Sequence, residues 1–334
     1  MRITPLAAIA TLSVIALAGC AAPAPESDGD ADAAPVAITD VQIIVPADPG
    51  GGWDQTGRAL AQVLGDESLV DSAPVTNVPG AGGTVGLATL ANETDPNTLM
   101  LMGLVMVGAV ETNASANRIE DTTPIARLTE EALVVVVPAD SPYDSIEDLV
   151  DAIVKDGQDV TITGGSAGGA DHILAGLLLE AADQSKDEIA EKLNYIPNSG
   201  GGEAVSLILG NNVSAGISGV GEFVEHIEAG TMKALAVSSE ESVPQLPDVP
   251  SLQDEGIDVT LTNWRGVVAP GSIDEAQRTA LIDLVTSLHE SDAWTAQLEE
   301  AGWTDAFLAG DDFDAFLETN IEDVKKTLTN IGLI

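Results

Sequence analysis

Cysteines, cations and aromatic side chains are all scarce in this sequence of 334 residues. The single cysteine, Cys20, excludes an intrachain disulfide. With that cysteine near the N-terminus and three histidines in all, no Cys, His, Asp and Glu grouping has metal-ligand spacing, so we expect neither metal nor cofactor. The sequence contains 12 Lys and Arg residues and 54 Asp and Glu residues, which gives a net charge of −42. Such a field repels nucleic acid and anionic lipid, so we exclude nucleic-acid binding.

The longest early apolar stretch, Leu6 to Leu17, is too short for a permanent membrane span and is typical of a secretory signal. Its ending, LAGC, is similar to a bacterial lipobox, in which cleavage before the cysteine accompanies lipidation. We therefore predict a signal peptide at 1–19, a lipidated Cys20 and a disordered tether over 20–39, rich in Ala, Pro and Asp. The alternative is a signal peptide with an incidental cysteine. The lipid would anchor the protein to the cell membrane on its extracytoplasmic side.

The remaining chain alternates strand-like and helix-like segments, which predicts an α/β protein with a mostly parallel sheet. Ligands of such sheets bind at the carboxyl ends of the strands. Residues 134–153 and 266–285 resemble each other, each running from an apolar strand through proline to a helix. We interpret them as two crossings between lobes. Lobe 1 would comprise residues 40–135 and 266–334, and lobe 2 residues 136–265.

Four glycine-rich turns each follow a predicted strand and precede a predicted helix. They are PGGGWDQT (49–56), PGAGGTVG (79–86), GGSAGGADH (164–172) and NSGGGEAV (198–205). Such turns expose backbone N–H groups at helix N-termini, where the helix dipole favours an anion. Four of them predict a cleft suited to carboxylate or phosphate. The alternative at each turn is a tight connection, with Asp54, Thr84, Asp171 or Glu203 serving only as a helix cap.

Two enzymatic alternatives arise from the same glycines. GGSAG (164–168) matches the nucleophile elbow of a serine hydrolase, with Ser166 as nucleophile. However, His172 is too near in sequence for the separate loop that a triad needs, and His226 and His289 fall in helix-like segments. GAGGTVG (80–86) partly matches a dinucleotide fingerprint but lacks its glycine spacing. We therefore expect a binding protein and not an enzyme, with the hydrolase as the alternative.

The longer motifs resemble a known family. VPADPGGGWDQTGRALAQVL, NVPGAGGTVGLATLA, GGSAGGADHILAGLLLEAA, NYIPNSGGGEAVSLILG, LPDVPSLQDEGIDV and NWRGVVAPGSIDEAQ occur in the order seen in solute-binding proteins of tripartite tricarboxylate transporters. The resemblance implies a type II periplasmic-binding-protein fold with two lobes around a ligand cleft. It also implies a monomer that delivers a di- or tricarboxylate, such as citrate, to one large and one small membrane subunit.

The resemblance further implies which residues surround the ligand. They are Gly50, Gly51, Gly52, Trp53, Asp54 and Thr56; Gly80, Ala81, Gly82, Gly83 and Thr84; Ser166, Ala167, Gly168, Gly169, Asp171 and His172; and Ser199, Gly200, Gly201 and Glu203, with Ser218, Gly219 and Glu222 as weaker candidates. Because PNSGGGE departs from the usual stretch of the family, the identity of the carboxylate stays open.

Few cations lie near these turns, and only Arg265 is placed to form a bidentate clamp on a carboxylate. A salt bridge between the lobes explains Arg265 equally well. Trp53 and Trp264 either line the cleft or pack in the core.

Overall fold

The structure is a computed structural model that describes residues 36–198 and 201–334, which belong to one compact unit. The predicted signal peptide, Cys20 and the tether up to residue 35 lie outside the described residues, as do Ser199 and Gly200. Among the described helices, none combines the length and the apolar character that crossing a membrane requires.

Eleven strands and eleven α-helices make up the described chain. The strands are β1 (Gln42–Val45), β2 (Val75–Asn77), β3 (Thr98–Gly103), β4 (Thr123–Glu130), β5 (Leu133–Pro138), β6 (Thr161–Gly164), β7 (Asn194–Pro197), β8 (Ala215–Gly219), β9 (Met232–Val237), β10 (Arg265–Ala269) and β11 (Thr304–Ala309). The helices are α1 (Gly52–Asp66), α2 (Thr84–Leu90), α3 (Leu104–Thr112), α4 (Ile146–Asp156), α5 (Ala170–Ala181), α6 (Lys186–Lys192), α7 (Gly201–Leu209), α8 (Val220–Glu228), α9 (Glu275–His289), α10 (Asp292–Ala301) and α11 (Asp311–Asn330).

The strands form two sheets. The first has the order β11-β4-β10-β3-β1-β2, and the second has the order β7-β6-β8-β5-β9. In the first sheet β1 pairs in parallel with β2 and β3, and in the second sheet β6 pairs in parallel with β7 and β8. Strands β3 and β5 are buried along their whole length, which explains their continuous apolar sequences, TLMLMG and LVVVVP.

The prediction of a mostly parallel sheet is wrong, because four of the nine strand pairings in the described chain are parallel and five are antiparallel. Each sheet receives one strand directly after the chain crosses from the other sheet. Strand β5 runs against β8 and β9, and β10 runs against β3 and β4. Strands β4 and β11 were not predicted, since their sequences, TPIARLTE and TDAFLA, mix polar and apolar residues without a clean alternation.

The chain passes between the sheets twice, and the two passages lie side by side. The backbone N–H of Glu131 donates to the carbonyl of Asn263 at 3.2 Å, and the N–H of Asn263 donates back to Glu131 at 2.8 Å. Ala132 and Thr262 form an antiparallel bridge next to this pair. We call these four residues the crossing ribbon. Strand β5 begins just after it on the first passage, and β10 begins just after it on the return.

Parallel strand pairing places the four glycine turns in two pairs, one pair at the edge of each sheet. Because β1 and β2 are parallel neighbours, their carboxyl ends meet at one edge, and the turns before α1 and α2 meet there. Strands β6 and β7 do the same for the turns before α5 and α7 in the second sheet. The prediction that each glycine turn follows a strand and precedes a helix is confirmed. Helix α1 lies close to β1, since a Cβ at Gly57 would stand 2.4 Å from Val45 Cγ2.

Candidate functional site

A cleft of about 570 Å³ lies between the glycine turns of the two sheets. The predicted residues that line it are Gly50, Gly51, Gly52, Trp53, Gly80, Ala81, Gly82, Gly83, Ser166, Ala167, Asp171, Glu203, Ser218 and Arg265, together with Gly219 and Glu222. The predicted residues that are not part of this lining are Asp54, Thr56, Thr84, Gly168, Gly169 and His172. Ser199 and Gly200 lie outside the described residues, and Gly201 begins α7.

The first turn delivers the N-terminus of α1 to the cleft. Gly51 is the N-cap residue, and no side chain caps this helix. The N–H groups of Gly51, Gly52 and Trp53 have no acceptor among the described residues, as expected at the start of a helix. Thr56 does not reach the cleft, because its buried hydroxyl donates to the carbonyl of Gly52 at 2.9 Å.

Asp54 supports this turn from behind and does not act as the helix cap. Its Oδ2 accepts the N–H of Gly50 at 2.8 Å and the Nε of Arg58 at 2.8 Å, while its Oδ1 accepts from Asn77 Nδ2 at 2.9 Å. Burial raises the pKa of Asp54, but these hydrogen bonds from Arg58, Asn77 and Gly50 outweigh it, so the pKa lies below its ordinary value. The amide of Gly50, predicted to face the ligand, is thus already used by the protein.

The second turn has an unusual backbone in which four consecutive residues, three glycines and Ala81, have positive φ angles. Gly80, Gly82 and Gly83 all have positive φ angles, of 133°, 63° and 92°. A Cβ at Gly83 would stand 2.7 Å from the Trp53 ring, so Trp53 packs directly on this turn while it lines the cleft. Thr84 is the first residue of α2, and its hydroxyl donates a hydrogen bond to the carbonyl of Ala81 at 3.0 Å.

The third turn is held by hydrogen bonds to three side chains, those of Asp171, Tyr195 and His172. Asp171 Oδ2 accepts the N–H of Gly165 at 2.5 Å, and the hydroxyl of Tyr195 donates to the Gly165 carbonyl at 3.0 Å. His172 Nδ1 accepts the N–H of Gly168 at 3.1 Å, and its ring stacks on Tyr195 at 4.1 Å. Burial lowers the pKa of His172 to about 4, so the ring is neutral at pH 7. Gly168 and His172 are thus hydrogen-bonded to each other, and their predicted ligand contacts stay a prediction.

The geometry of a serine hydrolase is not assembled around Ser166. His172 uses Nδ1 to accept from Gly168, and among the described residues no histidine is hydrogen-bonded to Ser166. His226 contacts Thr231, and His289 contacts Asp305. In addition, the described chain holds no group of three or more His, Cys, Asp and Glu residues placed to bind a metal ion.

Arg265 lies at the base of the cleft, next to the crossing ribbon. Its Nη2 donates to Glu131 Oε2 at 2.5 Å, with 4% of each side chain exposed. Its Nε and Nη1 are buried without a partner among the described residues, and the guanidinium lies 5.3 Å from the centre of the Trp303 ring. Arg265 thus forms an ion pair at the crossing between the sheets, and its predicted clamp on a carboxylate stays a prediction. Trp264 packs in the core against Phe316.

Several lining residues were missed in the sequence. Asn198 directly follows β7, and it donates from Nδ2 to Thr163 Oγ1 at 2.7 Å and to the Gly164 carbonyl at 2.8 Å. Asn113 follows α3 and donates from Nδ2 to the Ala81 carbonyl at 3.0 Å. Asn198 stands within the NYIPNSGGG motif and could have been found there, whereas no local pattern marks Asn113. The others are Pro46, Ala47, Asp48, Pro49, Pro79, Val105, Gly165, Pro197 and Asn263, whereas Gly202 lies within the predicted turn from Ser199 to Glu203.

Asp171 predicts a pH-dependent stability. Burial, reinforced by the charges of Glu222 and Glu131, raises its pKa from 3.8 to about 7. The folded state therefore binds this proton more tightly than the unfolded state, so the stability gained below pH 4 is lost as the pH rises through 7. We expect Asp171→Asn to gain stability relative to wild type between pH 5 and pH 8 in urea denaturation. Parallel curves for the two proteins would contradict this, and Asp66→Asn, at an exposed position, is the control.

Solved structures share this architecture at low sequence identity. The periplasmic binding protein BugD superposes with a TM-score of 0.77 at 22% identity, covering 88% of this chain and 98% of its own. Rpa4515 of R. palustris, solved with adipate, gives a TM-score of 0.78 at 20% identity, covering 88% of this chain and 97% of its own. The two sheets and the cleft between their turns thus form a periplasmic-binding-protein fold, and the predicted fold class is confirmed.

Sequence comparison identifies the family within this fold. Residues 57–333 match the family described as tripartite tricarboxylate transporter family receptor. Protein BugT of Bordetella pertussis is 29% identical over 332 residues, which cover 96% of this chain and 96% of BugT. The chain belongs to the tripartite tricarboxylate transporter receptor family, as its motifs predicted.

Proposed function

We propose that this receptor captures a small organic carboxylate outside the cytoplasm and delivers it to the membrane subunits of a tripartite transporter. The proposed ligands are di- and tricarboxylates, citrate among them. A lipid on Cys20 would anchor the receptor, which acts as a monomer. The LAGC sequence supports this anchor, and release of a Cys20→Ala variant from the membrane fraction of cells tests it.

The observation that carries the proposal is the donor wall formed by α1 and Arg265. The N–H groups of Gly51, Gly52 and Trp53 converge at a helix N-terminus, where the dipole favours negative charge. Arg265 lies directly beside them, since a Cβ at Gly52 would stand 2.5 Å from Arg265 Nη2. A carboxylate fits this wall because its oxygen atoms accept several hydrogen bonds at once.

A structurally similar protein supports the same class of ligand. Rpa4515, which shares the fold, was solved with the dicarboxylate adipate. The geometry around Ser166 supports binding over hydrolysis, because the serine lines the cleft while His172 serves the loop backbone.

Gly51 offers a direct test of the donor wall. Its φ of −79° suits proline, so Gly51→Pro removes one N–H group at the cleft while keeping the local backbone. We expect this variant to bind carboxylates roughly 10- to 100-fold more weakly, the loss typical of one hydrogen bond to a charged group. The measurement is isothermal titration calorimetry of the full chain with citrate, malate, succinate and adipate.

Gly51→Ala is the matched control. It keeps the N–H, and its Cβ would stand 3.9 Å from the nearest atom, the carbonyl oxygen of Asp48, so wild-type affinity is expected. If the proline and alanine variants bound carboxylates equally well, the N–H of Gly51 would not be a ligand contact. Absence of heat with every carboxylate, alongside heat with a sugar, would refute the proposed function.

A further inference from the structure

Asp171 is a buried residue in the lining of the cleft, and only one of its carboxylate oxygens is used by the described part of the protein. The residue is 8% exposed, and its Oδ2 accepts the N–H of Gly165 at 2.5 Å. Its other oxygen, Oδ1, has no hydrogen-bond partner among the described residues. Because buried polar atoms are as a rule hydrogen-bonded, Oδ1 marks a position where a group of the ligand is expected.

The donor wall lies within electrostatic range of Asp171, on the lining of the same cleft. Burial and nearby carboxylates raise the pKa of Asp171, and the charge of Arg265 lowers it by a smaller amount, so the guanidinium acts on this carboxyl group. A ligand carboxylate held by Arg265 and by the N–H of Gly52 therefore brings a negative charge close to Asp171. Two carboxylates that come within hydrogen-bond distance cannot both stay ionised, so such a pair retains one proton.

The ionisable groups around Asp171 come from several elements. They are Glu222 of α8, Glu131 of the crossing ribbon, Arg265 of β10, Tyr195 of β7 and His172 of α5 itself, and Glu203 of α7 lines the same cleft. Burial and the charge of Asp171 raise the pKa of Tyr195 well above its ordinary value, and burial lowers the pKa of His172 to about 4. These two side chains therefore exchange no proton between pH 6 and pH 9. The negative charges of Glu222 and Glu131 favour the protonated form of Asp171.

We propose that Asp171 is protonated in the ligand complex and donates a hydrogen bond from Oδ1 to a carboxylate oxygen of the ligand, so that ligand capture takes up a proton. Where Asp171 is ionised in the free protein, a buffer acid in solution supplies this proton and is left as its conjugate base. The proton is shared by the pair of carboxyl groups, as in other closely coupled pairs. The inference rests on the proposed carboxylate site and adds a pH dependence to it.

The pKa of Asp171 sets the pH range of this effect. Burial, with the charges of Glu222 and Glu131, raises it to about 7 in the free protein. Below pH 6 the residue already carries its proton, so binding takes up none. Above pH 8 the free carboxylate is ionised, and each bound ligand takes up close to one proton. The association constant should therefore fall about tenfold from pH 8 to pH 9, whereas below pH 7 it should level off.

Calorimetry of the full chain in buffers that differ in ionisation enthalpy counts these protons. Succinate and adipate are the probes, because both of their carboxyl groups are ionised at pH 8. If the complex takes up a proton, the buffer releases one. The observed heat then increases linearly with the ionisation enthalpy of the buffer, and the slope gives the number of protons per ligand. We expect a slope close to one at pH 8.

The variant Asp171→Asn identifies the residue that holds the proton. The amide keeps an oxygen to accept the N–H of Gly165, and it offers an N–H donor in place of the O–H at every pH. We expect this variant to bind without proton uptake and, at pH 9, at least about tenfold more tightly than wild type, because it has no proton to gain. Asp66→Asn, at an exposed position, should keep the proton uptake and the pH dependence of wild type.

The outcomes separate this inference from the proposed function. A slope near zero at pH 8, with succinate or adipate bound, would overturn the inference and leave the carboxylate receptor standing. So would an Asp171→Asn variant that takes up protons as wild type does. No binding by succinate, adipate, citrate or malate would overturn the proposed function together with the inference.

Discussion

Replacing Arg265 with methionine should lower the free energy of unfolding by about 3–5 kcal/mol, because the change leaves a buried carboxylate without its cation. Glu131 is as buried as Arg265, with 4% of its side chain exposed, and it holds the N–H of Gly221 at 2.9 Å through its other oxygen. Because Glu131 lies in the crossing ribbon, its buried carboxylate stands where the two passages of the chain meet. Urea denaturation of wild type and variant measures the loss.

Two further variants identify the source of that loss. Arg265→Met combined with Glu131→Gln removes both charges, and we expect it to recover much of the stability, because an uncharged amide costs less to bury than a carboxylate. Lys155→Met removes a lysine whose side chain is 80% exposed and whose partner, Asp156, is 46% exposed, so it should have a much smaller effect. A single Arg265 variant as stable as wild type would show that the pair does not stabilise the fold.

Replacing Gly108 with alanine should impair both stability and ligand binding. Gly108 lies in α3, under the third glycine turn, and a Cβ there would stand 1.9 Å from the carbonyl oxygen of Gly168. The obstacle is backbone, which cannot rotate away as a flexible side chain can. We expect a loss of about 1–3 kcal/mol in unfolding free energy, as for other overpacked positions. Carboxylate affinity should fall as well, because the displaced turn carries Ser166 and Ala167 at the cleft.

Gly65→Ala is the matched control for this prediction. Gly65 lies near the end of α1, and no atom stands within 4 Å of the point that an added methyl group would occupy, so alanine should stabilise the helix by about 0.5–1 kcal/mol. Opposite signs for the two substitutions, measured by thermal and urea denaturation, would identify contact between α3 and the third turn as the cause. The same sign for both would contradict the prediction.

The location of the cleft was predictable from sequence because it depends on local patterns. Glycines that follow an apolar strand and precede an amphipathic helix mark a strand end, and parallel pairing places such ends together. The roles of individual residues were harder to predict from the sequence. Whether the Gly50 amide faces a ligand depends on Asp54, which in turn depends on Asn77 from a neighbouring strand. Such contacts join residues distant in sequence, and no spacing reveals them.

The strand directions illustrate a second limit of sequence reasoning. The apolar sequence of β5 marks a buried strand, but it carries no information about the direction of its neighbours. Direction follows from where the chain enters the second sheet, which is decided at the crossing ribbon. Similarly, Glu131 gave no signal in the sequence, and its role becomes visible only when Arg265 and Gly221 each donate to one oxygen of its carboxylate.

The crossing ribbon also determines how far different parts of the molecule can travel. Both connections between the sheets pass through these four residues, so they define an axis for any rotation of one sheet relative to the other. Displacement grows with distance from an axis, so in such a rotation the glycine turns would move most and the Arg265–Glu131 pair, beside the ribbon, would move least. We therefore expect the two buried charges to stay in contact if one sheet rotates relative to the other.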